Sequence, residues 1–395
     1  MYSIKYKKRE YGFMIVSLML CAFCVLKVFR GANTAITSEG GIWNYISLTY
    51  YITAIWGILR TRTHKLKAIF VAPLLYCILS VLFALGTGSA SLSTSKIYSL
   101  LMIPYFFLVF LSFYFYSDNN PKAEKIIVLA YIACLLVNAY TIIAFLIFGH
   151  TRALANDIYF SLCLFPFVLQ FIKHRGLKMI LIVSQFLFTF LSNKRAGFIA
   201  LCIGLILYFL LDVKTHDRTN FSKMIRRLAL LVAGIYVLYR VSYYIDSTLG
   251  FGIYDRLNRI SMDQGSGRSK MYSKVWQAIC ESDWMEVLFG HGMNTAGKVA
   301  GAGYAHNDYL EILYDYGVFP FVCIVIFVLL IICQAIQMIK RRSPYAPAFV
   351  LSVVIGITLS MFSYFLVFYT FVTCIMAFWG YAIKMEKLRL LKEEV

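Results

Sequence analysis

The residues best suited to chemistry lie in one polar stretch: Gly290-His291-Gly292-Met293-Asn294, then His306-Asn307-Asp308-Tyr309-Leu310-Glu311, then Gly317 leading into an apolar run. A histidine exchanges protons near neutral pH, since its ordinary pKa is about 6.5, and beside amides and carboxylates it suits removal of a proton from an attacking hydroxyl. Read as the start of a helix, the second segment puts His306 at or near the N-terminus. Leu310 and Leu313 then face a core, and Asp308 and Glu311 share a neighbouring side at i,i+3 spacing. The bland alternative is a histidine that caps a helix at a membrane interface, the commoner fate of a lone His.

Two other segments supply partners for it. Gly265-Ser266-Gly267-Arg268-Ser269 sets an arginine after a Gly-Ser turn at the start of a helical stretch. There it can offer a planar charged fork to phosphate oxygens, with backbone N–H groups of the same turn beside it; a solvated basic loop docking on anionic headgroups is the alternative. Ser192-Asn193-Lys194-Arg195-Ala196-Gly197 sets basic residues between two apolar runs. Charge at that depth is costly unless it faces the bundle interior or a partner, so Arg195 either snorkels to the interface or faces a cavity and binds an anionic lipid-linked substrate. His291, between two glycines, is read as part of a turn.

The elements that must position these groups are membrane helices. The chain has 395 residues, 61% hydrophobic and 14% charged, with mean hydropathy +0.73, which is outside the range of soluble domains. An all-α integral membrane protein is expected, because a helix satisfies its own backbone in lipid; runs such as Ile324 to Ile332 do not alternate as barrel strands do. Apolar windows predict about twelve transmembrane helices, near 11–29, 43–59, 68–86, 98–116, 126–148, 158–172, 179–193, 196–211, 228–246, 318–339, 347–366 and 368–383. The last two are also readable as one broken helix. The first run follows Lys5, Lys7, Lys8 and Arg9 and is read as a retained helix rather than a cleaved signal.

Lys and Arg cluster in alternate loops, about twice as many on one side as on the other, which places the N- and C-termini in the cytoplasm. The same pattern accounts for most of the net charge of +19, so nucleic acid is not implied. The ten Cys lie mostly inside apolar runs without metal-ligand spacing. Three parts follow: residues 1–246 as a bundle of about nine spans, 247–317 as an extracytoplasmic loop, and 318–395 as C-terminal transmembrane helices with a cytoplasmic tail. The loop, roughly seventy residues, is too long for a simple turn and is the natural place for chemistry. Within it, 269–279 and 304–316 have helical periodicity, while Gly265 to Gly267 and Gly290 to Gly303 read as turns.

With Ser-Asn-Lys-Arg-Ala-Gly at a short outer loop, Gly-Arg-Ser and Trp276 in the long one, then Phe-Gly-His-Gly and His-Asn-Asp-Tyr-Leu-Glu before Gly317, the chain resembles the O-antigen ligase and Wzy-type polysaccharide polymerase superfamily. The specific part is Phe-Gly-x-Gly followed by His-Asn-x-x-Leu. The resemblance implies a GT-C-type glycosyltransferase bundle acting on undecaprenyl-diphosphate-linked glycan, with no cofactor and no metal. It implies that Arg195 and Arg268 bind the donor diphosphate and that His306 is the catalytic base, with Asn307, Glu311, Gly290 and Gly292 in support. Membrane lipids, a flippase and a chain-length regulator are the expected partners. Polymerisation of repeat units is the preferred activity and ligation to another acceptor the alternative. A flippase or transporter, or a scaffold that binds through the loop, are readings from other classes; the polar residues gathered in one external loop, and no evident two-fold repeat, speak for an enzyme.

Overall fold

The computed structural model describes residues 2–32, 41–60, 68–86, 100–148, 158–192, 194–216, 267–366 and 369–394, with scattered helical positions between 225 and 247. Asn193, Gly265, Ser266, much of the expected span at 228–246 and the loop from 248 to 266 lie outside the described residues. Those described form helices and no strands. The N-terminal series is α1 (Tyr2–Ala32), α2 (Gly41–Arg60), α3 (Ala68–Gly86), α4 (Tyr105–Tyr116), α5 (Pro121–Phe148), α6 (Ile158–Phe171), α7 (Arg175–Leu191) and α8 (Arg195–His216). Four shorter helices follow: α9 (Arg268–Glu281), α10 (Trp284–Phe289), α11 (Ala296–Ala300) and α12 (Asp308–Tyr316). The chain ends in α13 (Val318–Lys340), α14 (Ala346–Phe362) and α15 (Tyr369–Glu393).

Among the described residues five helices are long and apolar enough to cross a membrane: Tyr11–Phe29, Ala68–Gly86, Pro121–Ala144, Arg195–Asp212 and Val318–Lys340. Further apolar helices, among them Ile158–Phe171 and Ala346–Phe362, are shorter. The chain is therefore a membrane protein. The final two expected spans are separate helices, α14 and α15, joined through a turn that includes Ser363 to Leu366.

The last helix runs through the middle of the bundle, with residues 371–383 all buried. Lipid tails are as apolar as leucine, so such a helix is held by close packing and by hydrogen bonds rather than by escape from water. Gly380 supplies the close packing: a Cβ there would lie 2.3 Å from the Phe110 carbonyl oxygen of α4. Aromatic rings fill the remaining space, Phe378 edge-on to Phe167 at 4.9 Å and Tyr381 stacked on Phe13 at 5.7 Å. Trp379 Nε1 donates to Ser352 Oγ at 2.9 Å, which fixes α15 against α14.

Helices α9 to α12 stand on the end of this bundle. They bury a small apolar cluster of their own, Val275, Ala296, Ala300, Ala305 and Tyr314. Ile312 and Tyr316, on another side of α12, belong to the main core, so α12 packs on both bodies of apolar residues. Phe289 at the end of α10 meets Phe83 of α3 at 5.0 Å and Phe319 of α13 at 6.4 Å.

Gly380→Ala is expected to force α15 and α4 apart and to destabilise the bundle by about 1–3 kcal/mol. Gly86, which has nothing within 4 Å of an added Cβ, should tolerate the same change, and the two thermal midpoints in detergent check the difference.

Candidate functional site

The site is built at the N-terminus of α12. Asn307, not the histidine, is the cap: its Oδ1 accepts from the Tyr309 and Leu310 backbone N–H groups at 3.1 and 3.2 Å. The helix therefore begins at Asp308, and His306 precedes it in the left-handed region with φ +57°, a conformation His adopts more readily than most residues. Tyr272 of α9 holds it there. Its hydroxyl donates toward the His306 carbonyl at 2.9 Å, with the Met361 carbonyl of α14 at 3.2 Å.

The His306 ring lies 5.1 Å from that of Tyr364, which stacks on Tyr304 at 4.8 Å. Its Nδ1 is buried without a hydrogen-bond partner. Burial pushes the His306 pKa below its ordinary value, and the positive charges of Arg268 and Lys194 push it further down. The imidazole is neutral at pH 7 and keeps a lone pair for an incoming proton.

Arg268 is the first residue of α9, after Gly267 in the left-handed region with φ +78°. It donates to the Phe362 carbonyl at the end of α14. Arg268 and His306, expected to cooperate, are thus brought together. From the basic pair at the start of α8, the charge of Lys194 also bears on His306. Its Nζ stands 6.0 Å from the centroid of the Tyr159 ring, and the Tyr159 hydroxyl is hydrogen-bonded with the side chain of Ser363. Arg195 is the next residue along, the first of α8. The sequence reading passed over Lys194 and Tyr159, and the signal for Lys194 was its place in Ser-Asn-Lys-Arg-Ala-Gly.

Three carboxylates, Asp308, Glu311 and Asp315, are buried along α12, at spacings that put them on one side of the helix. Each is committed to backbone. Asp308 accepts from Phe365 N at 3.0 Å and Leu366 N at 2.6 Å, on the turn after α14. Asp315 accepts from the amides of Asn294, Thr295 and Ala296 at 2.8, 3.0 and 2.7 Å and from the Thr295 hydroxyl at 2.9 Å. Burial raises its pKa to about 6 against the pull of those donors, which leaves it anionic at neutral pH. Among the described residues Glu311 accepts one bond, from Ala305 N at 3.1 Å, and its other oxygen is buried with no partner there. Burial, with Asp308 and Asp315 nearby, raises it to about 9, so it is protonated at neutral pH. Asp315 was not anticipated, although it lies four residues after Glu311, on the same side of the helix.

The Phe-Gly-His-Gly motif closes the far end of α12. Gly290 and Gly317, both at φ +81°, lie where two stretches of backbone cross: a Cβ on Gly290 would meet the Asp315 carbonyl oxygen at 2.3 Å, and one on Gly317 the Leu288 oxygen at 2.2 Å. His291 N and Gly292 N then donate to the Tyr314 and Asp315 carbonyls at 2.9 and 3.0 Å. The His291 ring stacks on Tyr314 at 3.9 Å, with its Nε2 2.9 Å from Ser282 Oγ. This is a structural turn, as read for His291.

Residues 180–325 match the family model described as O-antigen ligase. That stretch contains Lys194, Arg195, Arg268, His306 and both crossing glycines, and the match is consistent with the O-antigen ligase and polymerase superfamily. No curated protein matches the chain.

Glu311 holds its proton more tightly folded than unfolded, where a glutamate titrates near 4.3. Its contribution to stability is therefore full at acid pH and lost as pH rises from about 4.3 through about 9. Glu311→Gln should flatten the decline of the thermal midpoint across that window, and unfolding in detergent from acid to alkaline buffer measures it. Asn307→Ala should lower the midpoint at every pH, the lost cap costing about 1 kcal/mol of stability.

Proposed function

We propose that the chain is a membrane glycosyltransferase that polymerises polyprenyl-diphosphate-linked oligosaccharide repeat units into O-antigen, capsular or exopolysaccharide at the outer face of the cytoplasmic membrane. The observation that carries this reading is the meeting of His306, whose pKa is lowered by burial and then by Arg268 and Lys194, with Arg268 at one turn of the chain. A base and a set of permanent positive charges are what transfer from a glycosyl diphosphate needs. The O-antigen ligase match at 180–325 supports the same substrate class, a lipid-linked glycan.

In the proposed reaction the acceptor hydroxyl attacks the anomeric carbon of the donor glycan while His306 takes its proton. The new C–O bond forms as the bond from the anomeric carbon to the diphosphate oxygen breaks, and the diphosphate leaves with that electron pair. Arg268 and the basic start of α8, where the resemblance assigns Arg195, neutralise the charge that develops on it. Attack opposite the leaving group inverts the anomeric carbon, and with guanidinium groups in this role a divalent ion is not required. Undecaprenyl diphosphate is the carrier this reading implies, with a flippase to supply the donor and a regulator to set chain length.

The proposed arrangement is a GT-C-type bundle of about twelve spans with both termini cytoplasmic. Residues 1–246 and 318–395 form its membrane part, and 247–317 form an extracytoplasmic loop that brings Arg268 and His306 to the bundle. The family description favours one second reading, a ligase that passes the finished glycan to another acceptor. It uses the same donor chemistry and differs in the acceptor groove.

In cells, His306→Ala should abolish polymer and let lipid-linked single repeats accumulate while the protein still reaches the membrane. A normal polymer ladder from that variant would sink the reading. Purified protein given lipid-linked repeats alone, or repeats with a lipid A core acceptor, separates polymerase from ligase, and EDTA in the same assay tests for a metal.

A further inference from the structure

We propose that Tyr304 and Tyr364 form an aromatic platform on which the acceptor sugar lies while one of its hydroxyls meets His306. The inference rests on the reading above and deepens it.

The turn after α14 has a cation at one end and the base at the other. Phe362 accepts from Arg268, and two residues later Tyr364 lies against the His306 ring, with centroids 5.1 Å apart. In the proposed reaction the diphosphate and the acceptor therefore belong to opposite ends of the turn, and the tyrosines stand at the acceptor's end. The Nδ1 of His306 is buried, so a hydroxyl that gives up its proton approaches from the Nε2 side of the ring. With that hydroxyl about 3 Å from the nitrogen, the sugar itself comes within reach of the rings beside His306.

Tyr304 supplies the second ring of the platform. It stacks on Tyr364 with centroids 4.8 Å apart and planes 20° apart. Core packing does not account for its place: among the described residues Tyr304 belongs to neither apolar cluster, whereas Tyr364 packs against the larger one. The approach to it is open. Gly301 and Gly303 are exposed, and a Cβ added to Gly303 would meet nothing within 4 Å. A half-buried ring outside both clusters, two residues before the base, is placed to meet a ligand.

The occupant follows from the chemistry of the two surfaces. One face of a pyranose presents C–H bonds, which pack flat against the electron-rich face of an aromatic ring, while the hydroxyls at its rim stay free for His306 and water. A polyprenyl chain asks instead for apolar lining, and the exposed Met361 and Phe362 lie at the other end of the turn.

The test uses the full-length protein in nanodiscs and the lipid-linked repeat that accumulates in cells carrying His306→Ala. Mild acid frees that repeat from its carrier, so the free oligosaccharide probes the platform without a diphosphate. Tyr304→Leu keeps apolar bulk but removes the flat ring. It should weaken binding of the free repeat, read from the shift in thermal midpoint, and raise the KM for the lipid-linked repeat, each about tenfold. Its kcat and its unliganded midpoint should stay near those of the wild type. Tyr304→Phe keeps the ring and should match the wild type throughout, and Tyr364→Leu should lose binding as Tyr304→Leu does. If Tyr304→Leu keeps both affinities while the wild type makes polymer, the platform falls and the glycosyltransferase reading stands. The platform also falls if Tyr304→Phe loses as much as Tyr304→Leu, or if the free repeat does not bind the wild type. A wild type that leaves the lipid-linked repeat unconverted, or cells in which His306→Ala accumulates no repeat, overturns both.

Discussion

A buried carboxyl group that accepts backbone amides holds them fast, because releasing them would leave unpaired polar groups in an apolar interior, at a cost of about 1–3 kcal/mol each. Asp308 is in that position toward Phe365 and Leu366. The residues just before those amides make up one wall of the site: Met361 and Phe362 offer carbonyls to Tyr272 and Arg268, Ser363 bonds Tyr159, and Tyr364 lies on His306. Two separate parts of the chain, the starts of α9 and α12, therefore take their places from the same short turn. Asp315 performs the equivalent task at the other end of α12 by gathering the amides of Asn294 to Ala296.

The two apolar surroundings of α12 explain why its polar residues are so fully engaged. One side meets the bundle through Ile312 and Tyr316 and another meets the small cluster around Val275 and Ala305, so little water is left to satisfy a carboxylate. Asp308 and Asp315 answer this with multiple donors, and Glu311, with a single donor, answers it by holding a proton. The same burial lowers the His306 pKa. One physical condition thus yields a carboxyl clamp at each end of the helix, a protonated Glu311 between them and a His306 of lowered pKa just before them.

Much of the helical layout was legible because lipid imposes length and composition directly. Ala68–Gly86 and Val318–Lys340 fall almost where the apolar windows put them, and α9 exceeds its periodic stretch by three residues in all. The start of α12 was misjudged by four residues, since the Asn307 cap and the positive φ of His306 are decided by side-chain and tertiary bonds that periodicity does not register. The helices at Trp284–Phe289 and Ala296–Ala300 are too short to show a period, and the second lay within a stretch read wholly as turn. His306 and Arg268 stood out because charge and imidazole are rare in this composition. Tyr159, Tyr272, Tyr304 and Tyr364 did not, since 29 tyrosines and 33 phenylalanines offer no contrast. Lys194 was hidden for a different reason: two adjacent basic residues are equivalent on paper.

The left-handed backbone at His306 bears on how such a protein changes over time. Few residue types occupy that region easily, and of those besides His, Gly and Asn carry no side chain that takes up a proton near neutral pH. On the proposed reading, two of the substitutions that the backbone tolerates best at this position therefore end its chemistry. A lineage released from selection for turnover can lose it in one step while keeping a folded membrane protein with its cations in place. On the proposed reading, a descendant that binds the substrate without turning it over is one substitution away.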